Sequence, residues 1–409
     1  MTATHVVGAG IAGLAAAVHL TKAGRKVALH ESANQAGGRC RSFLDAKLDR
    51  QIDNGTHLIL GANPSLFALL NAVGGKLEAQ APAAFPFFDR KACKGWTIRP
   101  SKGSIPWWVL NPGARLPGTS ALDYIGGWRL MTAKAHESVA QAVGNGEMLE
   151  RLWGPLCEAI LNSSPQEGQA RLLGEVLKRS LLKGEAACRP YTAPEGLSLS
   201  LIDPAIAWLK DHGCIIRFNH RLTAIQNSVL SFDDNERIDI SPMAPAILAV
   251  PPWIAADLLP ALPRFETRPI VCAHFLLTKP EAKLPGGRHY LGIVRGLGQW
   301  WSLRGDVLSV TVSAATGLAV ESAEEIASKL WAECALMLGH STELPPYRVM
   351  KEQRATIAHT PEAEGLRPGP FDGPPGLLLA GDWTSTGLPC TLEGAALSGQ
   401  RAAGHILLS

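Results

Sequence analysis

The amino-acid sequence predicts an α/β protein in which a Rossmann-like parallel sheet is assembled from both ends of the chain. Residues 5–20, HVVGAGIAGLAAAVHL, read as a short apolar strand, a glycine turn and a helix of small residues. Residues 376–382, GLLLAGD, read as a second apolar strand. The 409 residues are too many for one ordinary hydrophobic core, so we expect about two domains.

Composition and charge indicate a globular protein and argue against nucleic-acid-binding, membrane-spanning and disulfide-rich classes. A hydrophobic content of 46% with 18% charged residues is typical of a globular chain. The net charge is +3 without long basic runs, so we expect no nucleic-acid partner. We expect no secretory signal before the first strand, and no apolar stretch has the length of about 18 residues typical of a membrane span. The eight cysteines form no CxxC pair, which predicts no metal site, no disulfide framework and a cytoplasmic location.

The first glycine turn has the spacing of a dinucleotide-binding site. Gly8, Gly10 and Gly13 form a GxGxxG pattern, which allows a tight turn, close approach of a pyrophosphate and close packing of helix on strand. The start of the helix offers unpaired N–H groups to phosphate oxygens. Glu31 ends the next strand, KVALH, at a distance along the chain where an acid accepts hydrogen bonds from a ribose.

A second glycine pair follows where a simple nicotinamide dehydrogenase would continue with another βα repeat. Gly37 and Gly38 permit a further close approach to the backbone. Arg39 and Arg41 present guanidinium groups suited to phosphate oxygens. The alternative is a surface turn with solvated arginines.

Residues 52–63, IDNGTHLILGAN, hold a candidate catalytic histidine. Asp53 and Gly55 favour a turn before the apolar run HLIL, in which His57 is the titratable side chain. Taken alone, a histidine in such a run is more often a structural residue than a catalyst.

The C-terminal stretch supplies further parts of a nucleotide site. Gly381 and Asp382 follow an apolar strand, and ligands of open α/β sheets lie beyond the carboxyl ends of strands. A helix is predicted over about residues 391–407, with its N-terminus towards an anion. Its small residues recur at helical spacing and favour close packing: Ala395, Ser398, Gly399 and Ala402.

Together these motifs resemble those of the flavin-dependent amine oxidase and phytoene desaturase superfamily. The resemblance implies a glutathione-reductase-like domain that holds FAD extended. Glu31 would meet the adenosine ribose, Asp382 would lie near the ribitol and pyrophosphate, and the backbone of Leu222 would meet the adenine. The implied FAD-binding positions are Gly8, Gly10, Ile11, Ala12, Gly13, Glu31, Ser32, Gly37, Gly38, Arg39, Asn54, Gly55, Thr56, Leu222, Gly381, Asp382, Thr391, Leu392, Glu393 and Ala395.

A narrower resemblance points to the squalene-associated FAD-dependent desaturases of hopanoid pathways. It is carried by IDNGTHLILGAN, GPLCEAILNSSP, AILAVPP and LLLAGDWTSTGLPCTLEGAALSGQRAA. The resemblance implies that reduced FAD removes the allylic hydroxyl of hydroxysqualene to give squalene, with an electron donor that the sequence does not identify. The motif containing His57 lies against the flavin in such relatives. His57 is therefore the first candidate for a proton donor, with Asp53 as a residue that orients it.

The resemblance to this superfamily implies that a Rossmann-like FAD-binding domain is interleaved with a mixed α+β substrate-binding domain. The FAD-binding domain would comprise residues 1–80, 192–255 and 355–409, and the substrate-binding domain residues 81–191 and 256–354. CIIRFNHRLTAI is predicted to form a pair of strands, and SAEEIASKLWAECALML an amphipathic helix.

Tryptophan is over-represented, with eleven tryptophans against four tyrosines. Trp107, Trp108, Trp300 and Trp301 are predicted to line an apolar tunnel for a lipophilic isoprenoid, and the alternative is packing in a core. Such a substrate partitions into lipid, which predicts peripheral contact with the inner face of the cell membrane. Exposed tryptophan also favours a membrane interface.

Three alternatives stay open at this point. A carotenoid-type desaturase would oxidise an isoprenoid with the same fold. A flavin amine oxidase commonly has an aromatic residue where this chain has Thr391. A non-catalytic isoprenoid carrier of this fold would have lost the flavin motifs, which are present here.

Overall fold

The computed structural model describes residues 3–279 and 281–408. The strands are β1 (Thr4–Val7), β2 (Val27–His30), β3 (Ser42–Asp45), β4 (Arg50–Asp53), β5 (Ile59–Leu60), β6 (Glu78–Ala79), β7 (Phe85–Asp89), β8 (Lys94–Ile98), β9 (Pro190–Thr192), β10 (Ile215–Arg217), β11 (Leu222–Gln226), β12 (Val229–Phe232), β13 (Arg237–Asp239), β14 (Ala246–Leu248), β15 (Thr267–Leu276), β16 (Tyr290–Val294), β17 (Trp300–Arg304), β18 (Val307–Val312), β19 (Tyr347–Ile357) and β20 (Leu377–Leu379).

The α-helices are α1 (Ile11–Lys22), α2 (Pro64–Ala72), α3 (Ile125–Met131), α4 (Val139–Val143), α5 (Gly154–Leu161), α6 (Ala170–Arg179), α7 (Glu185–Cys188), α8 (Asp203–Asp211), α9 (Pro252–Leu258), α10 (Ala323–Leu338), α11 (Pro361–Gly365) and α12 (Leu392–Leu408). Short 3₁₀ turns lie at Trp107–Leu110, Ala121–Tyr124, Leu181–Lys183 and Leu318–Val320. Residues Leu149–Trp153 and Ser198–Ile202 form short π-helices.

A parallel sheet with the strand order β10-β2-β1-β14-β20 is the nucleotide-binding core predicted from the sequence. Val7 of β1 pairs with His30 of β2 on one side and with Leu248 of β14 on the other. β14 in turn pairs in parallel with β20, so the two ends of the chain belong to one sheet. The strands β2, β14 and β20 are buried throughout, which explains their continuous apolar sequence.

Helix α12 packs on helix α1 with the small-residue face predicted from the sequence. A Cβ atom on Gly399 would lie 2.0 Å from the carbonyl oxygen of Ala12, so glycine alone permits this approach. Ala396, Ala402 and Ala403 are buried in the same apolar core. This contact holds the C-terminal helix beside the N-terminal nucleotide motif.

A second, mixed sheet of seven strands has the order β19-β15-β18-β17-β16-β7-β8. All its pairs are antiparallel except β16 with β7. One face packs on helix α10, the amphipathic helix predicted from the sequence, through an apolar core that includes Phe275, Trp301 and Leu308. Ser322 caps α10 and exchanges hydrogen bonds with Glu325 in a capping box.

Three smaller sheets complete the strand topology of the described residues: β3-β4, β5-β9-β6 and β11-β12-β13. The sequence CIIRFNHRLTAI forms two strands as predicted, but they do not pair with each other. β10 joins the edge of the parallel sheet, whereas β11 pairs with β12. The positive φ of Asn219, 52°, lies between the two strands, where the chain changes direction from one sheet to the other.

Between β8 and β9 the chain is mainly helical. Its Trp108, Leu116, Leu130 and Trp153 share an apolar core with Phe87 and Trp96 of the seven-stranded sheet. No helix in the described ranges combines the length and apolarity that a membrane crossing needs. The predicted domain division stays a prediction, and its boundary at residues 354–355 falls within β19.

Substitution of Gly399 by alanine tests the contact between α1 and α12. We expect Gly399→Ala to lower the free energy of unfolding by about 1–3 kcal/mol, because the added methyl group meets backbone rather than a movable side chain. Urea denaturation followed by circular dichroism measures the change. The matched control is Gly404→Ala in the same helix, where the added Cβ meets nothing within 4 Å and should stabilise by about 0.5–1 kcal/mol. Equal effects of the two substitutions would contradict the packing described.

Candidate active site

The carboxyl edge of the parallel sheet gathers the predicted nucleotide residues of both chain ends. Gly8 follows β1, Glu31 follows β2, and Gly381 and Asp382 follow β20. Because these strands are parallel, their carboxyl ends open on the same side of the sheet. The predicted FAD-binding residues at these three positions therefore share one edge.

The three glycines of the first turn differ in what surrounds them. Gly8 has a φ of +105°, and a Cβ there would lie 2.5 Å from the carbonyl oxygen of Ala249. A Cβ on Gly13 would lie 1.8 Å from the carbonyl oxygen of Gly8. By contrast, a Cβ on Gly10 would meet nothing within 4 Å. Gly8 and Gly13 are thus required by packing, whereas the space at Gly10 is open.

Helix α1 begins at this open space with free amide groups. Gly10 is its N-cap, and within the described residues no side chain caps the helix. The first amide with an intrahelical partner is that of Leu14, which donates to the carbonyl of Gly10 at 2.9 Å. The amides of Ile11, Ala12 and Gly13 and the positive end of the helix dipole therefore suit a pyrophosphate.

Glu31 is held at the sheet edge by backbone groups. Its carboxylate accepts hydrogen bonds from the amide of Ala9 at 2.7 Å and from the amide of Ala33 at 2.9 Å. The hydroxyl of Ser32, an exposed residue, lies 3.3 Å from the same carboxylate. These contacts hold the acid beside the glycine turn, where the sequence predicts a ribose.

A row of three histidines lies behind Glu31. His30 Nε2 is 3.0 Å from His5 Nδ1, and His30 Nδ1 is 2.9 Å from His220 Nδ1. The backbone amide of His220 donates to the carbonyl of Glu31 at 2.9 Å. Burial and, to a smaller extent, the neighbouring His5 and His220 together lower the pKa of His30 to about 3. His30 is therefore uncharged at neutral pH.

Arg39 connects the second glycine pair with the C-terminal motif. Its guanidinium group forms a 2.7 Å ion pair with the carboxylate of Asp382 and donates to the carbonyl of Ala355. Gly37 donates from its amide to the carbonyl of Ala9 at 2.9 Å. Arg39 is thus not the solvated arginine of the alternative interpretation.

The segment before His57 departs from the predicted turn. Asp53 ends strand β4, and its carboxylate accepts hydrogen bonds from the hydroxyl of Ser42 at 2.5 Å and the amide of Leu197 at 3.1 Å. The other carboxylate oxygen forms a 2.6 Å ion pair with Arg304. Among the described residues Asp53 forms no hydrogen bond with His57, so its contacts are those of a structural residue that joins three segments.

His57 is half-buried and lies outside strand β5. Burial lowers its pKa below the ordinary value, the charge of Asp53 opposes this shift, and the charge of Arg39 adds to it. The imidazole is therefore mainly neutral at pH 7. In the described part of the chain its ring forms no hydrogen bond with protein groups, so its role as a proton donor stays a prediction.

The N-terminus of α12 is built differently from that of α1. Thr391 accepts a hydrogen bond from the amide of Gly394 at 3.2 Å and caps the helix. The buried carboxylate of Glu393 accepts hydrogen bonds from the amides of Ser65 and Leu66, at 3.1 and 3.0 Å, and so caps helix α2. Burial raises the pKa of Glu393 despite these amide groups. Its carboxylate is directed at α2, which leaves its predicted contact with FAD a prediction.

The remaining predicted FAD-binding residues lie around these contacts. Asn54 is buried, and its side-chain amide donates to the carboxylate of Glu352 at 3.2 Å. Leu222 is buried at the start of β11, in one apolar cluster with Val7 and Leu248. The others line the same loops and helix starts: Gly38, Gly55, Thr56, Leu392 and Ala395.

The four tryptophans predicted to line one tunnel are separated. Trp301 packs in the core under α10, whereas Trp300 is half-buried and its ring lies 5.6 Å from that of Phe87. Because neighbouring residues of a strand point to opposite faces, Trp300 and Trp301 do not share a surface. Trp108 is buried in the helical core, and Trp107 is 58% exposed.

A polar face of the seven-stranded sheet meets the segment around Asp53 and Thr56. Arg304, Thr311 and Cys272 belong to the face that carries Trp300, since Trp300 pairs with Thr311 and Thr311 pairs with Cys272. The hydroxyl of Thr56 lies 3.9 Å from Cys272 Sγ. This face lies beside the predicted flavin motif.

Cys272 and His274 form a buried pair on this face that the sequence analysis did not single out. Burial alone would raise the pKa of the Cys272 thiol, but the neighbouring His274 and hydrogen bonds from Thr311 and Thr56 bring it below its ordinary value. Burial likewise opposes the charge of His274, but Cys272 raises its pKa. No local pattern reveals the pair as polar, because its strand, CAHFLLT, is otherwise apolar.

A second group of side chains that the sequence did not predict, Arg367, Glu364 and His359, supports the loop before α12. Arg367 is buried and its guanidinium group donates to four carbonyls of that loop: Asp382, Trp383, Thr384 and Leu388. Glu364 accepts hydrogen bonds from Arg367 at 2.8 Å and from His359 at 2.5 Å. His359 Nε2 accepts the amide hydrogen of Cys390, so its proton is on Nδ1. This network fixes the loop that carries Asp382.

The comparisons with known proteins agree with this geometry. Residues 129–407 match the family of flavin containing amine oxidoreductases, and residues 6–73 match the NAD(P)-binding Rossmann-like domain. The chain is 40% identical to the hydroxysqualene dehydroxylase of Rhodopseudomonas palustris, over 98% of both chains. It is 41% identical to that of Sinorhizobium fredii, over 98% of this chain and 97% of the relative. The chain belongs to the hydroxysqualene dehydroxylase family.

Solved structures share the fold of this family at low sequence identity. A redesigned putrescine oxidase superimposes with a TM-score of 0.73 and 17% identity, over 100% of this chain and 99% of that one. Cyclohexylamine oxidase from Brevibacterium oxydans superimposes with a TM-score of 0.68 and 16% identity, over 99% of this chain and 98% of that one. The predicted interleaved α/β fold with a Rossmann-like FAD-binding domain is confirmed.

The protein is a flavin-dependent oxidoreductase with FAD as its cofactor, and the residues at the sheet edge fit this cofactor. The free amides at the start of α1 and the open space beside Gly10 suit the pyrophosphate. Arg39 brings a positive charge to the same edge, and Glu31 brings a hydrogen-bond acceptor. The individual contacts to FAD stay predictions.

Substitution of Gly10 separates cofactor binding from folding. We expect Gly10→Ala to leave the stability of the flavin-free chain within about 0.5 kcal/mol, because its Cβ meets nothing, but to weaken FAD binding at least about tenfold by blocking the pyrophosphate. Quenching of flavin fluorescence during titration with FAD measures the affinity. Gly13→Ala is the comparison, and it should lower stability before any flavin is added. A Gly10→Ala variant that binds FAD as tightly as the wild type would contradict this assignment.

Proposed function

We propose that the protein removes the allylic hydroxyl of hydroxysqualene with reduced FAD and so produces squalene. The observation that carries the proposal is the identity of 36–41% to three hydroxysqualene dehydroxylases over 98% of the chain. The flavin amine oxidases named above share the fold at only 16–17% identity. A non-catalytic carrier is not supported, because the chain has the glycine turn, acid and helix start that suit FAD.

The proposed reaction needs a hydride and a proton. The carbon–oxygen bond breaks, a carbon–hydrogen bond forms with the hydride, and the departing hydroxyl takes up the proton and leaves as water. Reduced FAD supplies the hydride when it is bound. The protein binds the cofactor through the amides at the start of α1, holds the loop of Asp382 through Arg367, and excludes water with apolar side chains.

His57 is our proposal for the group that supplies the proton. It lies four residues beyond Asp53, in the motif that neighbours the polar face of the seven-stranded sheet. Asp53 contributes a negative charge that favours the protonated imidazole, but through space rather than through a hydrogen bond. Trp300 and Trp108 remain our candidates for the walls of the isoprenoid tunnel, since Trp108 belongs to the helical core and Trp300 packs against it.

The cellular setting is also a proposal. We infer a cytoplasmic enzyme at the inner face of the cell membrane, because its substrate would partition into lipid. All eight cysteines are free, which is compatible with a reducing compartment. The reductant of the flavin is an electron-donating partner whose identity is open.

An isoprenoid desaturase is the second candidate. A protein named probable zeta-carotene desaturase, from Synechococcus elongatus, is 27% identical over 54% of this chain and 50% of its own length. Such an enzyme would draw electrons from the substrate into oxidised FAD, so the direction of electron flow distinguishes the two candidates.

Anaerobic turnover tests the proposed reaction directly. The FAD-loaded protein, chemically reduced and supplied with hydroxysqualene, is expected to form squalene, detected by mass spectrometry. The matched control contains oxidised FAD, for which the hydride is missing and no squalene should form. Formation of new double bonds with oxidised FAD, and no squalene with reduced FAD, would favour the desaturase instead.

The lowered pKa of His57 predicts a pH dependence. Because burial lowers the pKa of His57, its imidazole becomes protonated at a lower pH than an ordinary histidine, so the rate should rise with decreasing pH and level off once His57 is protonated. We expect His57→Ala to bind FAD normally, to lose this dependence and to slow squalene formation by about 10²–10⁴-fold. The rate is measured over a pH series, with the flavin absorbance as the control for cofactor content. Normal turnover by the variant would remove His57 from the mechanism.

A further inference from the structure

The segment between residues 105 and 128 exposes an unusual amount of apolar surface. Of sixteen exposed large apolar side chains among the described residues, six belong to these 24 positions. We call them the 105–128 face: Ile105, Trp107, Leu110, Leu122, Ile125 and Trp128. Their exposed fractions range from 54% for Ile125 to 81% for Leu122. Apolar surface gathered in this way marks an interaction site rather than scattered exposure.

Buried side chains fix the position of the 105–128 face. Trp108 is buried, and its ring contacts that of Tyr124 edge to face, with 5.1 Å between the ring centres. The hydroxyl of Tyr124 accepts a hydrogen bond from the amide of Leu116 at 2.9 Å. Leu116 and Leu130 are fully buried in the helical core. The two 3₁₀ turns, which hold Trp107, Leu110 and Leu122 of the face, are therefore anchored, and these three side chains are exposed.

Helical spacing aligns part of the face. Leu122 lies in the 3₁₀ turn Ala121–Tyr124, which runs directly into helix α3. Ile125 and Trp128 follow at intervals of three residues, and such intervals place side chains on one side of a helical segment. Trp107 and Leu110 show the same interval in the 3₁₀ turn Trp107–Leu110.

The surrounding sequence is strongly basic although the whole chain is not. Residues 90–134 contain eight lysines and arginines and one acidic residue, Asp123, whereas the whole chain has a net charge of +3. Asp123 is engaged in a capping box with Ser120. Arg90 pairs with Glu333, and none of the other seven cations forms a salt bridge within the described residues. These seven cations therefore leave a local excess of positive charge beside the 105–128 face.

We propose that the 105–128 face docks on an anionic lipid bilayer. Tryptophan favours the interface between water and lipid, leucine and isoleucine insert below it, and lysine and arginine attract acidic headgroups. A second copy of the chain is disfavoured as the occupant, because a symmetric dimer would bring two basic segments together. Docking rests on the proposed function in one respect, since a lipid-dissolved substrate would give the enzyme a reason to dock.

Vesicle flotation of the FAD-loaded protein tests the proposal without any turnover. The probes are vesicles of phosphatidylcholine alone and vesicles with about 30% phosphatidylglycerol, each at low and high salt. We expect binding to the anionic vesicles, at least about tenfold less binding to the neutral ones, and weakening by salt.

Two variants separate the apolar and the electrostatic contributions. The triple variant Trp107→Ser, Leu122→Ser and Trp128→Ser should reduce vesicle binding at least about tenfold, and so should Lys102→Glu with Arg129→Glu. The matched control is Met243→Ser, Val320→Ser and Leu336→Ser, three side chains that are 74–92% exposed elsewhere on the protein. This control should bind vesicles like the wild type.

The outcomes keep docking and catalysis apart. Equal flotation of the wild type and the triple variant, or no flotation of either, would overturn docking at this face. A dimer that the triple variant abolishes, with no vesicle binding, would identify the face as a contact between copies. Binding of a soluble acidic protein in preference to vesicles would also overturn membrane docking at this face. If vesicles bind as expected but no squalene forms from detergent-dispersed substrate, the proposed function fails while the docking surface stands.

Discussion

The contact of helix α12 with helix α1 is the constraint on which the remaining structure depends. Gly399 lies against the carbonyl of Ala12 with no room for a side chain, so the first and last helices share one core. Closing a loop that spans nearly the whole chain costs entropy, which is offset only when apolar surface from both ends is buried together. The parallel sheet and the nucleotide edge therefore form as one unit, and neither end of the chain contains the site alone.

Charge at this edge is positioned by contacts within the protein. The free amides of α1 and the guanidinium of Arg39 supply positive character, while Asp382 holds Arg39 in position. Arg367 satisfies four carbonyls of the loop that carries Asp382, which removes the cost of leaving them buried without partners. Such groups need little rearrangement when an anionic cofactor binds, and this is the physical basis of a preorganised site.

The two faces of the seven-stranded sheet have different environments. Residues that alternate along β17 point either into the core under α10, as Trp301 does, or towards the polar face near Thr56, as Trp300 does. The helical segment beyond β8 packs on this sheet through Trp108 and Phe87 and carries the 105–128 face outward. An ion pair and a polar contact join this sheet to the segment around Asp53 and Thr56, and apolar packing joins it to the segment that carries the proposed membrane surface.

The sequence by itself determined the parallel sheet, helices α1, α10 and α12, and the glycine positions of the nucleotide edge, because these depend on local periodicity and turn chemistry. It also identified FAD and the family through motifs at both chain ends. Only the tertiary structure decided that Asp53 binds Arg304 rather than His57, that Glu393 caps α2, and which tryptophans are buried. Those outcomes depend on neighbours that are distant along the chain, and no local pattern specifies them.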